Sequence, residues 1–87
     1  MNLEELNEIF ANDDYNMGVE GDTAFNGLKI LAKYAKNDII SGASHDCIYS
    51  IDTKEAINNG ITKEDVDALK KLNWMIDEDN ECFSHFV

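Results

Sequence analysis

Histidine and cysteine side chains, the usual protein ligands of zinc, occur in two short groups in this sequence. His45 and Cys47 form the first group, and Cys82 and His85 form the second. Four such ligands would complete a tetrahedral zinc site if two neighbouring strands brought the groups together. Residues three apart on a strand point to opposite faces, however, so Cys82 and His85 would converge only on a distorted strand. We therefore expect two buried free cysteines, and no metal or other cofactor.

Three acidic residues near the end of the sequence are spaced like the first ligands of an EF-hand calcium loop. They are Asp77, Asp79 and Glu81. Such a loop requires glycine at its sixth position, where this sequence has Cys82, and a bidentate glutamate at its twelfth, beyond residue 87. The spacing therefore indicates an acidic turn and not a calcium site.

Motifs for catalysis are missing from the sequence. It has neither a glycine-rich phosphate-binding loop nor the G-x-S-x-G turn of a serine hydrolase. Ser44, His45 and Asp46 are adjacent, whereas the members of a catalytic triad converge from separate backbone positions. A pair of Cys47 with His45 or His85 is conceivable, but a chain this short leaves little room for a substrate pocket. We expect a protein that is not an enzyme.

The charge of the sequence excludes two kinds of partner. The 87 residues contain 18 Asp and Glu against 7 basic residues, all Lys, which gives a formal net charge of -11. Proteins bind nucleic acids and anionic membranes with basic surfaces, so direct binding to either is disfavoured. No apolar run approaches the roughly 18 residues of a membrane-spanning helix, and two cysteines are few for a secreted domain. These features predict a cytoplasmic protein.

The acids are concentrated in two clusters that contain no lysine. The N-terminal acidic patch consists of Glu4, Glu5, Glu8, Asp13 and Asp14, and the hairpin acidic patch of Asp77, Glu78, Asp79 and Glu81. A cluster of acids often serves only to keep a protein soluble. Two dense patches also suit the basic clefts with which proteins hold nucleic acids. We expect both patches to contact a basic nucleic-acid-binding protein or complex.

Hydrophobic periodicity indicates the helices that would position these acids. A first helix is predicted near residues 3–11, after Asn2 as N-cap. A second is predicted after an N-cap within residues 21–23 and ends at Asn37 and Asp38, and apolar residues at positions 24, 25, 28, 31, 32 and 35 define one of its faces. A short third helix follows Asp52 and stops at Gly60. A fourth is predicted at residues 63–72, with Thr62 as N-cap and Asp65 near the position of the capping-box acid.

Strands are predicted in the remaining segments. A short strand is expected to begin at Ile39 and Ile40, with a turn over residues 41–44 and a second strand at residues 47–51. Residues 74–76 and 82–87 flank an acidic turn and predict a hairpin.

The spacing of this hairpin sets its register. With a two-residue turn at Asp79 and Asn80, Ile76 faces Phe83 and Trp74 faces His85. The residues then on the side that packs under the helices are Trp74, Ile76, Phe83, His85 and Val87. The predicted fold is a small single α+β domain, in which three to four helices pack on a short antiparallel sheet with a C-terminal β-hairpin.

Three segments resemble a pattern found among small phage and prophage proteins. They are residues 40–49 (ISGASHDCIY), residues 69–74 (LKKLNW) and residues 83–87 (FSHFV). In that pattern the helix ends in Leu-Gly-Trp, where this sequence has Asn73 in place of the glycine. In size, acidity and lack of catalytic motifs the sequence is also similar to phage anti-defence inhibitors, including anti-CRISPR proteins that act as DNA mimics.

The charge and the resemblance together lead to one functional hypothesis. It is a non-enzymatic, acidic inhibitor that binds a nucleic-acid-handling protein, such as a CRISPR effector, and blocks its basic cleft as a DNA mimic would. The alternative is a small interaction or regulatory module, for example a homodimer, whose acids serve only solubility.

Overall fold

The computed structural model of the protein describes residues 1–11, 22–36, 38–44 and 46–86. These residues form helices and a four-stranded antiparallel sheet, which confirms the predicted α+β class. The helices are α1 (Leu3–Ala11), α2 (Thr23–Leu31), α3 (Thr53–Asn58) and α4 (Lys63–Lys71). The strands are β1 (Gly42–Ser44), β2 (Cys47–Asp52), β3 (Met75–Asp77) and β4 (Cys82–Phe86).

The strand order in the sheet is β1-β2-β4-β3, so β4 lies between β2 and β3. The helices cover the sheet over one core, to which each of them contributes at least one apolar side chain. Its buried residues are Leu6, Phe10, Leu31, Tyr34, Ile51, Ala56, Ile61, Val66, Leu69, Trp74 and Phe83. Leu31 and Tyr34 supply the contribution of α2 and of the turn that follows it. One core of this size is what a domain of this length can support.

The register predicted for the hairpin is confirmed, whereas its turn is longer than predicted. Ile76 lies opposite Phe83, and the ladder ends where Asp77 lies opposite Cys82. The turn therefore comprises residues 78–81 and not Asp79 and Asn80 alone. A longer turn keeps the register because it adds one residue on each side of the predicted two.

Residues 39–44 differ from the prediction, because the expected turn forms a strand. Gly42 lies opposite Tyr49 and Ser44 opposite Cys47 in a ladder with β2. Ile40, where a strand is expected to begin, lies outside β1 and is 48% exposed. Gly and Ser have a low preference for strands, so pairing with β2, and not local propensity, places these residues in the sheet.

Helix α2 buries only part of the face that its apolar residues indicate: Leu31 is buried and Leu28 packs against the core, but the buried face is rotated toward Gly27. Phe25, predicted to face the core, is 56% exposed, whereas Gly27 is buried. The helix also ends earlier, at Leu31, and a tight turn then carries the chain to Tyr34. The indole of Trp74 causes this rotation, because it occupies the space beneath Gly27.

Trp74 and His85 fasten the start of α2 to the hairpin. The indole Nε1 of Trp74 donates a hydrogen bond of 3.0 Å to the carbonyl oxygen of Thr23. The hydroxyl Oγ1 of Thr23 lies 2.9 Å from Nε2 of His85, and the rings of Trp74 and His85 are 5.1 Å apart, as their predicted pairing requires. These contacts give the indole N–H of Trp74 and Nε2 of His85 a partner where two elements meet, whereas Nδ1 of His85 is buried without one.

Both ends of α4 have recognisable caps. Thr62 Oγ1 accepts from the backbone N–H of Asp65 at 3.1 Å, as predicted for an N-cap. At the other end, the N–H groups of Trp74 and Asn73 donate to the carbonyls of Leu69 and Lys70. This is a Schellman motif, and Asn73 has the positive φ, 65°, that the motif requires. The short helix α3 ends in a similar way near Gly60, whose φ is 88°.

The side chain of Asp65 does not act as the predicted capping-box acid. Its carboxylate accepts hydrogen bonds from the hydroxyl of Tyr34 and from Nζ of Lys33, the latter at 2.8 Å. Burial alone would raise the pKa of Asp65, but these two donors outweigh it and hold the pKa below the ordinary 3.8. Asp65 thus ties α4 to the turn after α2.

Candidate functional site

A cavity of about 530 Å³ lies between α1 and the β3–β4 hairpin. We call it the acidic groove. Apolar side chains form most of its lining, namely Leu3, Phe10, Ala11, Met75 and Ile76, and polar residues complete it, namely Asn7, Thr53, Glu78 and Glu81. Residues far apart in the sequence therefore form one concave surface.

The orientation of α1 determines which of its residues reach this groove. Asn2 caps the helix, since its Oδ1 accepts from the N–H of Glu5 at 2.8 Å. Leu6 and Phe10 are buried, and the ring of Phe10 meets that of Phe83 edge-on at 6.2 Å. Because residues three and four apart share a helix face, Leu3 then lies with Asn7, Phe10 and Ala11 along the groove.

A shallower depression continues the groove over the outer side of α1. Its lining shares three residues with the groove and adds two acids; the five are Leu3, Glu4, Asn7, Glu8 and Ala11. Glu4 and Glu8 are one helical turn apart and exposed, so their carboxylates form one rim of the combined surface.

The hairpin turn provides the opposite rim, and its conformation is held by Asp77. The carboxylate of Asp77 accepts from the backbone N–H groups of Asp79 and Asn80 at 3.0 and 3.2 Å. Glu81 has a φ of 54°, and its carbonyl accepts from the N–H and hydroxyl of Thr53 at 3.0 and 3.2 Å. The turn is therefore attached to the start of α3, which keeps the exposed Glu81 beside the groove.

The structure brings together only some of the acids that the sequence predicts for binding. Four of them line the groove or its extension: Glu4, Glu8, Glu78 and Glu81. Glu5 and Asp79 are exposed but outside that lining, and Asp77 stabilises the turn. Asp13 and Asp14 lie outside the described residues. The two acidic patches, which are separate in the sequence, thus meet at one groove.

Positive charge near the groove is sparse. None of the described residues that line it is a lysine. Nζ of Lys54 lies 3.7 Å from Oε2 of Glu81, and both side chains are about two-thirds exposed. An ion pair this exposed contributes little to the stability of the fold, and the carboxylate of Glu81 can readily exchange Lys54 for another cation. The rims therefore keep most of their negative charge available.

The described residues of the set considered as zinc ligands are Cys47, Cys82 and His85. Cys47 and Cys82 are buried free thiols, and burial, with smaller effects of nearby acids, raises the pKa of Cys82 to about 11. His85 bonds to Thr23 on the helix-covered side of the sheet. His45 lies outside the described residues. Within the described part of the chain, no group of three or more His, Cys, Asp or Glu could hold a metal.

The apolar lining of the groove is the part of the site that sequence reasoning missed. The hairpin register assigns Ile76 to the side that packs under the helices, and hydrophobic spacing assigns Leu3, which is 36% exposed, to the first helix, but neither assignment indicates a groove. The sequence signal that could have indicated the groove is a second series at helical spacing, Leu3, Asn7 and Ala11. It lies beside the buried residues of α1, Leu6 and Phe10.

Comparison of the chain with protein-family models, curated proteins and solved structures finds no match. The described residues include no helix that is long and apolar enough to cross a bilayer. The geometry and charge of the acidic groove are therefore the basis for assigning a function.

Proposed function

We propose that this protein is a non-enzymatic inhibitor that binds a nucleic-acid-handling protein and occupies its basic cleft. The observation that carries the proposal is the acidic groove. Carboxylates from two distant segments, Glu4 and Glu8 on one side and Glu78 and Glu81 on the other, surround one concavity whose described lining contains no lysine.

The physical reason is competition for the same cations. A cleft that holds a nucleic acid presents lysine and arginine to phosphates, and carboxylates at similar density can take their place. The net charge of -11 would also speed encounter with such a cleft and make binding weaken with salt. A CRISPR effector, which holds its guide–target duplex in a positively charged channel, is the kind of partner proposed. Such an inhibitor, phage-encoded in this hypothesis, would act in the cytoplasm of the host cell.

The test compares two charge reversals. Immobilised wild-type protein would be used at low salt to capture partners from lysate of the source cells, and each captured protein would then be tested for binding to fluorescent duplex DNA. We expect the wild type to displace the duplex, the Glu8→Lys, Glu78→Lys double variant to fail, and Glu5→Lys, on the same helix but outside the groove, to displace it nearly as well. Capture of no DNA-binding protein, or equal competition by the double variant, would contradict the proposal.

The alternative of a homodimer has one observation in its favour. Phe25 and Phe86 are 56% and 60% exposed, more than large aromatic side chains usually are. A light-scattering mass twice that of the 9.8 kDa chain, unchanged by salt, would support this alternative.

A further inference from the structure

The acidic groove reaches around the outer edge of the sheet. Met75 and Ile76 are consecutive residues of β3, and both line the groove. Consecutive strand residues point to opposite faces, so a cavity that both residues line lies at the edge of the strand. Strand β3 is indeed an edge strand, paired with β4 alone among the described strands.

An edge strand presents backbone N–H and C=O groups that another strand can pair with. Proteins protect such an edge with a very short strand, with charge, proline or a bulge, or by covering it. Strand β3 is itself short, with three residues, and carries the charge of Asp77. Residues 75–77 (MID) contain no lysine or proline, and their ladder with β4 is regular. The strand ends in acidic residues, since Glu78 lies directly after Asp77. Among the described residues, the backbone groups of residues 75–77 that face away from β4 bond to no other backbone group. They are therefore available to an added strand, and the nearby acids select against an acidic one.

We propose that an extended, basic segment of the partner protein adds to β3 as a fifth strand. This inference rests on the proposed function, because it names the kind of segment that the acidic groove would receive. The added strand would place apolar side chains against Leu3, Phe10 and Ile76, and lysine or arginine side chains near Glu8 and Glu78. Backbone pairing supplies affinity in such strand addition, and alternate side chains supply specificity.

The dimensions favour a short extended segment. Three residues of β3 span about 10 Å, and the eight steps from Leu3 to Ala11 on α1 span about 12 Å. Roughly four residues of extended chain cover that length. A second copy of this chain is a poor occupant, because its own β3 would bring Asp77 and Glu78 to the same acidic edge.

The experiment uses synthetic peptides and the full chain. The first probe is the capped peptide KVKVKVK, which alternates charge and apolar side chains, and its control is KKVVVKK, which has the same composition without alternation. Two further versions of the first peptide carry N-methyl groups on alternate backbone nitrogens, one in each register, because an N-methylated amide cannot donate to a neighbouring strand. Affinity would be measured by fluorescence anisotropy, and the site by amide chemical shifts.

We expect the alternating peptide to bind at least about tenfold more tightly than the block peptide. N-methylation should weaken binding by about tenfold in one register and by less than about twofold in the other. The largest shifts should fall in residues 75–77. Equal effects of both N-methylated registers, or largest shifts elsewhere, would overturn strand addition. If the amide chemical shifts of β3 change with protein concentration in the absence of peptide, a second copy of the chain occupies the edge, and the proposal of a basic partner strand is overturned as well.

The Glu8→Lys, Glu78→Lys variant separates this inference from the proposed function. If alternating and block peptides bind the wild type equally and both lose binding to the variant, strand addition is wrong and the acidic groove remains the site for basic partners. If the peptides bind the variant as well as the wild type, the groove is not that site and both proposals fail. Both positions are exposed, and the fluorescence of Trp74 would confirm that the variant is folded.

Discussion

Gly27 of α2 lies directly against the indole ring of Trp74. A β carbon at Gly27 would stand 1.8 Å from Nε1 of Trp74, closer than any non-bonded contact allows. The indole is fixed in place, because it is fully buried and its Nε1 donates to the Thr23 carbonyl. Close approach of helix and ring, and not a need for an unusual backbone angle, is therefore the reason for glycine at this position.

Replacement of this glycine should be costly. We expect Gly27→Ala to lower the free energy of unfolding by at least about 2–3 kcal/mol, since helix or ring must move. Gly42→Ala is the matched control: its β carbon would lie 3.8 Å from Tyr49, an ordinary contact, so we expect a change within about 1 kcal/mol. Urea unfolding followed by tryptophan fluorescence measures both. Equal stability of the two variants would mean that the ring does not lie beneath Gly27.

The cap of α4 offers a stabilising substitution. Asn73 has a φ of 65°, and its side-chain Oδ1 is buried without a hydrogen-bond partner. Asn73→Gly removes that group and suits the backbone, so we expect a gain of about 0.5–1 kcal/mol. The same change at Asn58, a helical residue of α3, should cost about 0.5–1 kcal/mol. Thermal unfolding of the two variants gives the comparison, and a loss of stability in Asn73→Gly would contradict this view of the cap.

Asp65 should contribute stability that depends on acid pH. Its folded-state pKa is below 3.8, so the unfolded chain takes up the proton more readily. The contribution is therefore complete above pH 3.8 and is lost as the pH falls through the lower folded-state pKa. We expect Asp65→Asn to be about 1–2 kcal/mol less stable than the wild type at neutral pH, and this difference to shrink in acid.

Denaturant unfolding from pH 7 to pH 2 would measure that difference. Asp67→Asn, two residues further along the same helix, is the control and should change stability by less than about 0.5 kcal/mol at neutral pH. A difference between wild type and Asp65→Asn that stays constant down to pH 2 would exclude the proposed role of the Tyr34 and Lys33 hydrogen bonds.

The thiol of Cys82 should be unreactive in the folded protein. It is 2% exposed and its pKa is about 11, so at pH 8 only about one thiol in a thousand is ionised. We expect iodoacetamide to label Cys82 at least about a hundredfold more slowly than it labels the same residue in guanidinium chloride. Mass spectrometry of the digested protein locates the label. Rapid labelling of Cys82 without denaturant would show that this side of β4 is open to solvent.

Local sequence signals are sufficient for the elements that depend on local chemistry. Thr62 caps α4, as its position three residues before Asp65 predicts. The number of residues between Ile76 and Phe83 in the sequence correctly predicts the hairpin register. The errors occur where a distant residue decides the outcome. Gly42 joins the sheet because β2 pairs with it, and Phe25 faces outward because Trp74 occupies the space beneath Gly27.

The candidate site is predictable in part for the same reason. Composition alone identifies the acids, since exposed charge needs no partner to be recognised. Glu8 and Glu78 border one groove because α1 packs beside β3, although the two elements are about 70 residues apart in the sequence. A local sequence pattern does not contain this information. Composition thus indicates the charge, whereas the fold determines its arrangement.

The position of β4 in the middle of the sheet has a consequence for synthesis on the ribosome. Among the described strands, residues 82–86 are the last to be made, yet they connect β2 to β3. Until they leave the exit tunnel, the side chains of Trp74 and Ile76 lack the strand that shields them, and α2 lacks His85. The described strand order therefore cannot assemble until residues 82–86 have emerged, after all of the other described strands.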